Sequence, residues 1–432
     1  MRSQHIRALT FLFLANIISG FAQGITMLAI PWYLVNQLPG ENGKILNATI
    51  VATVTFVSLF WGLYAGTLID KYNRKRIFQI LTVIDAVILI SVASWSIIQG
   101  SVSVPAIILI YTTTIFTYNV HYPNLYAFVQ ELFPSKYYQK VNSAIEIQGQ
   151  TTNFLGMMMG GLFISGSPSV DWWPEYLAFA PWKLQHIFLM DGLTYVVAFF
   201  LISMIPFQSD VQKIVDKGKV FDRLVQGFQY LREHKLLLLF GVCSHLIFFA
   251  LLSTIQVVMP VYVSDYLREE AYILAAFKGM YALGAIIAGL LGLKANFQPL
   301  RVIKWIIVLL LISGVIYFTW ASTSSVKVLL ILSVIIGVCN AGARILRITF
   351  IIKLVPNRII GRVNSFFAVL NVLCRVSFLY FLTIPFFSAA ENGPNIVYAC
   401  ALLGIILWIG ALALGTRLKD FKQQIELDRQ VW

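Results

Sequence analysis

Gly66-Thr67-Leu68-Ile69-Asp70-Lys71-Tyr72-Asn73-Arg74-Lys75-Arg76 is a short polar turn set between two long apolar runs, near 45–69 and 76–98. Each run can cross a hydrocarbon core of about 30 Å as a helix, which needs about 20 residues. A charged turn with such a helix on either side is the tight loop of a membrane hairpin. Gly66 permits close approach of a neighbouring helix, and Asp70 can bond helix-end N–H groups or a basic partner. Asn73 is expected in a left-handed turn, because Asn is the commonest substitute for Gly there.

The same apolar signal recurs outward from this loop. Windows lie near 8–36, 45–69, 76–98, 104–128, 139–165, 185–206, 236–262, 270–293, 302–321, 327–353, 360–387 and 395–416. The fold class expected is an all-α membrane protein of twelve transmembrane helices in two six-helix halves. Bulk composition agrees, with 59% hydrophobic and 12% charged residues in 432 and a mean hydropathy of +0.79. Soluble domains carry roughly 25% charged residues. The first apolar run continues to about Val35, which is too long for a cleavable signal.

Charge sets the orientation. With both termini cytoplasmic, inner loops and tails hold 24 Lys and Arg, and outer loops hold only Lys44, Lys183, Arg268 and Lys327. That asymmetry is the positive-inside pattern and places a multi-pass protein in the inner (plasma) membrane. The net charge of +13 then faces cytosol and anionic lipid headgroups, so no nucleic-acid partner is expected. The polar stretch 208–235 divides an N-terminal half, 1–207, from a C-terminal half, 236–416, with a cytoplasmic tail at 417–432. Within that linker Phe221, Leu224, Val225, Phe228 and Leu231 repeat at helical spacing, predicting an amphipathic helix on the inner membrane surface. Trp172, Trp173, Pro174, Tyr176 and Trp182 read as an interfacial aromatic belt.

Eleven residues in this pattern, at the 2–3 loop of a 6 + 6 chain, resemble the signature loop of the major facilitator superfamily, whose usual form has Gly at the position of Asn73. The resemblance implies that Gly66, Asp70, Lys71 and Arg74 form a conformational lock holding the outward-open state. Gly289 to Arg301 is a degraded copy without the acid. Tyr122-Pro123-Asn124, Gln130 to Pro134, Val141-Asn142-Ser143, and Leu155 through Gly161 are similar in order and spacing to the macrolide-efflux and enterobactin-exporter branch. There the fifth span ends in Gly-Pro-x-x-Gly-Gly; here Met157 replaces the Pro. Gly156, Gly160 and Gly161 are spaced for close helix contact, expected with the opposite half.

Ionisable groups inside spans are costly and mark functional candidates. The first half has Asp85, Glu146 and Asp191; the second has Lys278, Arg344, Arg347 and Arg375. Either acid–base pairs cross between halves, or Lys278, Arg344 and Arg375 hold an anionic or zwitterionic substrate while Asp85 or Glu146 carries a coupling proton. Gln23, Asn119, His121, Gln148 and Gln256 add neutral polar groups. Cys243, Cys339, Cys374 and Cys400 lie in apolar segments and read as packing residues, so no metal is expected. No GxxxxGK[ST], HExxH or nucleophile elbow is present, so the chain is not expected to be an enzyme or to need a cofactor. The leading expectation is a proton-coupled exporter, an antiporter of a drug-like or siderophore-like small molecule, working as a monomer amid membrane lipid by alternating access. An anionic-metabolite transporter and a lipid flippase without ion coupling are the alternatives. The topology is tested by Ser169→Cys and Ser209→Cys with a membrane-impermeant thiol reagent. Residue 169 should label in intact cells and residue 209 only after permeabilisation; the reverse pattern inverts the orientation.

Overall fold

A computed structural model describes residues 3–37, 42–133, 138–167, 178–206, 220–292, 298–388 and 395–431. The expectations for Trp172, Trp173, Pro174, Tyr176 and for linker residues 208–219 fall outside that set. Helices dominate the described residues: α1 (Ser3–Gln37), α2 (Asn42–Lys71), α3 (Arg74–Gln99), α4 (Val104–Leu132), α5 (Tyr138–Ser165) and α6 (Leu184–Ser203) come first. They are followed by α7 (Val220–Glu233), α8 (Lys235–Ser253), α9 (Met259–Val261), α10 (Ala271–Gly292), α11 (Pro299–Ser322) and α12 (Val326–Leu354). The last are α13 (Asn357–Phe381), α14 (Pro385–Ser388), α15 (Ile396–Thr416) and α16 (Leu418–Val431). Lipid leaves backbone N–H and C=O groups no other partners, so helices are the economical solution.

Among the described residues, ten helices are long and apolar enough to cross a membrane. The 29-residue α4 and the 28-residue α5 are not among them. Both interrupt their apolar surface with polar side chains, such as Thr117 and His121 in α4 and Gln148 and Thr152 in α5.

The chain divides into two compact units. Unit 1 comprises Met1–Leu38, Thr53–Asp216 and Glu270–Gly279; unit 2 comprises Pro39–Ala52, Lys217–Glu269 and Met280–Trp432. In unit 1, α3 runs along α6 and α1 packs against both α5 and α6. Leu12, Phe78, Leu125, Phe128, Ile145 and Ile202 form a core between these helices. In unit 2, α11 runs along α15, and α8 meets α12, α13 and α15. Outward faces stay apolar, with Ile98 78% and Leu290 62% exposed, as a lipid-facing surface requires.

Two local readings change, and α7 keeps its amphipathic character. Asn73 is not left-handed: it is the N-cap of α3, at φ −63° and ψ 123°. Its Oδ1 accepts from the backbone N–H of Lys75 (3.0 Å) and Arg76 (3.2 Å). A helix separated from the preceding one by only two residues needs its orphan N–H groups satisfied at once, which suits a capping Asn better than a turn Gly. The amphipathic α7 buries part of its apolar face on protein and leaves Val225 and Phe228 exposed. Leu231 is fully buried, the Phe228 ring lies 5.5 Å from that of Phe366, and Gly227 meets the backbone of Arg362 in α13. The glycines of α5 do not all face the second half of the chain: Gly156 and Gly160 meet Phe21 and Ile25 of α1, and only Gly161 meets Tyr272 and Ala275 of α10.

Gly156 is the tightest of the three, since a Cβ there would run into the carbonyl of Phe21, whereas a Cβ on Gly62 would meet nothing within 4 Å. Gly156→Ala should therefore destabilise the protein by about 1–3 kcal/mol, the usual cost of overpacking. Gly62→Ala should leave the thermal midpoint in detergent where it was. Equal midpoints for both variants would show that α1 and α5 can part without cost.

Candidate functional site

The polar residues of α4 and α5 converge, with those of α1 and α6, on one narrow cavity within unit 1. Asn16, Ser19 and Gln23 come from one face of α1, Thr117, His121 and Tyr122 from α4, Gln148, Thr152 and Asn153 from α5, and Tyr195 from α6. Helical periodicity explains the selection, because residues three, four and seven apart share a face. Gln148 Nε2 donates to Thr152 Oγ1 at 3.0 Å, so part of the lining is already ordered by its own bonds. The cavity volume is about 40 Å³. Each water needs roughly 10–15 Å³ on this measure, so a few waters fit. Drug-sized sites run to hundreds of Å³ (about 300 or more), so in this conformation the cavity is sized for solvent.

Behind its wall sit two carboxyl groups. Asp85 in α3 is 2% exposed and Asp191 in α6 is 1% exposed. The Thr117 hydroxyl, itself on the cavity wall, donates to Asp85 Oδ1 at 3.0 Å. The Thr26 hydroxyl donates to Asp191 Oδ2 at 2.6 Å. The remaining oxygens, Asp85 Oδ2 and Asp191 Oδ1, have no hydrogen-bond partner among the described residues. The two acids interact electrostatically with each other, and the Tyr195 phenol interacts with both and with Tyr122. Neither acid forms an ion pair among the described residues. A buried carboxyl served only by hydroxyls is an arrangement that can take up and release a proton as water gains or loses access.

The structure thus brings together Gln23, His121, Asp85 and Asp191 of the sequence candidates. His121 lies edge-on to Phe78, ring centroids 5.1 Å apart. Asn119 is half-buried on α4 but is not in the lining. The side chains of Glu146 and Asp70 and the surroundings of Gly66 lie outside the described residues. Lys278, 6% exposed, falls in the segment Glu270–Gly279 that belongs to unit 1, although the sequence places it in the second half. Arg344 and Arg375 lie in unit 2, as does Gln256, whose backbone carbonyl accepts from Asn47 Nδ2 at 3.3 Å. Thr26, Thr117 and Tyr195 were not singled out by sequence. Their only signal is a hydroxyl in an apolar span, which occurs too often to be selective.

The loop between α2 and α3 is tied into unit 1. Arg74 Nε lies 3.2 Å from Glu131 Oε1 of α4, with side-chain exposures of 13% and 10%. Arg74 also donates to the carbonyl of Ala127, and Asn124 Nδ2 donates back to the Arg74 carbonyl at 2.9 Å. Lys75 Nζ reaches the carbonyls of Ser203 (2.9 Å) and Ile205 (2.8 Å), capping the end of α6. Lys71 lies over the Tyr72 ring at 5.4 Å.

The family model of the Major Facilitator Superfamily matches residues 12–378. The chain belongs to the major facilitator superfamily. Solved structures show the same fold. A bacterial homologue of the iron transporter ferroportin, inward-facing, superposes with a TM-score of 0.71 at 15% identity, covering 95% of this chain and 99% of that one. The nucleoside transporter NupG gives 0.67 at 14%, covering 96% and 99%. A D-xylose–proton symporter gives 0.65 at 13%, covering 95% and 97%. A search of curated proteins gave no match. The chain is thus an integral membrane protein with an all-helical secondary-transporter fold.

Within that fold the Arg74–Glu131 pair is a direct target. Glu131→Ala strands a largely buried guanidinium and should cost roughly 3 kcal/mol. Arg74→Met with Glu131→Leu removes both charges and should recover most of the loss. Thermal unfolding in detergent reads the difference; a single variant as stable as the parent would show the pair to be solvated.

Proposed function

We propose that this chain is a proton-coupled exporter of a drug-like or siderophore-like small molecule, and that Asp85 and Asp191 carry the coupling proton. The observation that supports the reading is the pair of interacting buried carboxyls with hydroxyl partners only, of which Asp85 is one hydrogen bond away from a water-sized cavity. Proton coupling needs a group that is protonated in one access state and deprotonated in the other, and energy for transport comes from that difference. Thr117 is the link by which cavity water reaches Asp85. His121, on the same wall, presents an imidazole to the same cavity. In this reading α4 and α5 also cross the membrane, making twelve spans, and their polarity is the cost of lining the cavity. Both termini are cytoplasmic, the membrane is the inner one, and the working unit is a monomer. The export direction rests on the similarity of Leu155 to Gly161 to the exporter pattern. Gly66, Asp70, Lys71 and Arg74 complete the reading as the loop that sets the balance between access states.

Proteoliposomes with an internal pH dye test the proposal. A panel of macrolides and catecholate siderophores is added to vesicles carrying an imposed pH gradient. At least one compound should trigger proton flux that requires the protein. Asp85→Asn and Asp191→Asn should each lower that flux at least tenfold while sparing gradient-free exchange of the compound. Unchanged proton flux in the Asp85→Asn, Asp191→Asn double variant would end the assignment.

A further inference from the structure

Unit 2 holds a cluster of cations that proton coupling does not use. On α12, Arg344 and Arg347 sit one helical turn apart, and their like charges act on each other. Arg347 is only 8% exposed. Its Nη1 donates to the Ser244 carbonyl of α8 at 2.9 Å. The next carbonyl along α8, that of His245, accepts from Asn371 Nδ2 of α13 at 3.5 Å. Arg347 and Asn371, from different helices, are therefore held side by side by adjacent carbonyls. The seat beneath them is firm. The His245 ring stacks on Phe367 at 5.3 Å, and its Nδ1 is 2.7 Å from the Gly241 carbonyl. Gly241 in turn lacks the Cβ that would strike the Phe367 ring.

A guanidinium has five N–H donors and no acceptor. The carbonyl of Ser244 uses one, and neither Arg347 nor Arg344 has an acidic partner among the described residues. Two like charges, one of them buried, with no protein anion are destabilising unless an anion comes from outside. Arg presents its donors in a planar fork matched to carboxylate and phosphate oxygens. We infer that Arg347, with Asn371 beside it and Arg344 one turn away, is a binding seat for an oxyanion, a carboxylate or phosphate, carried by a soluble transported molecule. This rests on the transporter reading and narrows its substrate class to molecules bearing such a group. Burial of Arg347 favours a soluble ligand over a lipid headgroup, because a headgroup contact would leave the side chain at the lipid boundary.

The experiment uses the full-length protein in neutral detergent at constant ionic strength, with no ion gradient. Phenyl phosphate, benzoate and the neutral isostere benzamide are titrated while the thermal midpoint is followed. The two anions should raise the midpoint along a saturating curve, and benzamide should leave it unchanged. Arg347→Gln should weaken the apparent affinity for phenyl phosphate at least tenfold. Arg347→Lys keeps the charge but loses the fork, and should fall between. An equal response to benzamide, or an unchanged curve for Arg347→Gln, overturns the inference. Should Arg347→Gln not fold, the exposed Arg344→Gln takes its place, with a several-fold loss expected and an unchanged curve overturning it. Repeating the titration in nanodiscs of phosphatidylglycerol or phosphatidylcholine separates the sources. If phosphatidylglycerol alone abolishes the phenyl phosphate response, the seat belongs to lipid and the inference fails. Because no gradient is present, anion binding without proton-driven transport would count against the transport reading alone. Proton-driven transport without anion binding would count against this inference alone.

Discussion

A polar group inside hydrocarbon has only the protein to bond with, and this constraint governs how the chain is arranged. It makes the backbone helical throughout the spans. It also explains why each described intramembrane charge needs its own account. Asp85 and Asp191 are met by Thr117 and Thr26, Arg74 by Glu131 and the Ala127 carbonyl, and Arg347 by the Ser244 carbonyl. Where the partners come from a neighbouring helix, as around Arg74, the contact ties helix ends together. Where they are incomplete, as at Asp85 Oδ2 and Asp191 Oδ1, the deficit is what makes a proton or water a sensible visitor. Hydroxyls serve the two buried acids of unit 1, and a backbone carbonyl serves the buried Arg347 of unit 2.

The same constraint decides which features can be read from sequence. Long apolar runs carry their signal in composition, so α1, α3, α11 and α15 are visible without any tertiary information. The motif loop is visible because its residue types are unusual at that place. Its internal bonding is not: Asn73 can cap a helix or turn left-handed, and only the two-residue gap between α2 and α3 decides for the cap. Glu131 was part of a recognised stretch, yet nothing local marks it as the partner of Arg74, 57 positions away. The acids Asp85 and Asp191 stand out as charges in apolar spans, but their hydroxyl partners do not. Thr26 and Thr117 come from other helices than the acids they serve, and Thr in an apolar helix more often bonds its own backbone, as Thr114 does with the Ile110 carbonyl. The packing of α5 was misdirected for a related reason. Small residues announce a close contact without naming the neighbour, and α1 occupies two of the three places.

Span 7 shows how far tertiary context can override a uniform apolar pattern. After α8 the helix widens into a π-helical segment at Thr254–Val258, resumes in α9, and widens again at Tyr262–Tyr266. Pro260 sits between the wide turns and has no N–H to offer the Gln256 carbonyl four residues back. That carbonyl accepts instead from Asn47 Nδ2, and Asn47 is fully buried. The Thr254 hydroxyl pairs with Tyr317 at 2.8 Å, and the Tyr262 hydroxyl donates to the Trp320 and Thr323 carbonyls, both at 2.8 Å. Asn47 of α2 thus replaces the bond that Pro260 cannot make, and the Tyr262 hydroxyl in turn serves carbonyls at the end of α11. Lys44 pairs with Asp265 in the second wide segment. Both partners lie in unit 2, which includes the short stretch Pro39–Ala52, while Thr53 onward belongs to unit 1. An irregular helix in a membrane persists only where neighbours supply its missing partners, and π-bulges are frequent at functional sites. The distortion of this helix and the placing of α2's first turns are therefore linked: Asn47 satisfies the carbonyl that Pro260 leaves open, and Lys44 pairs with the Asp265 side chain. Substitution of either would be felt in the wide segments that hold Gln256 and Asp265 and not only on α2.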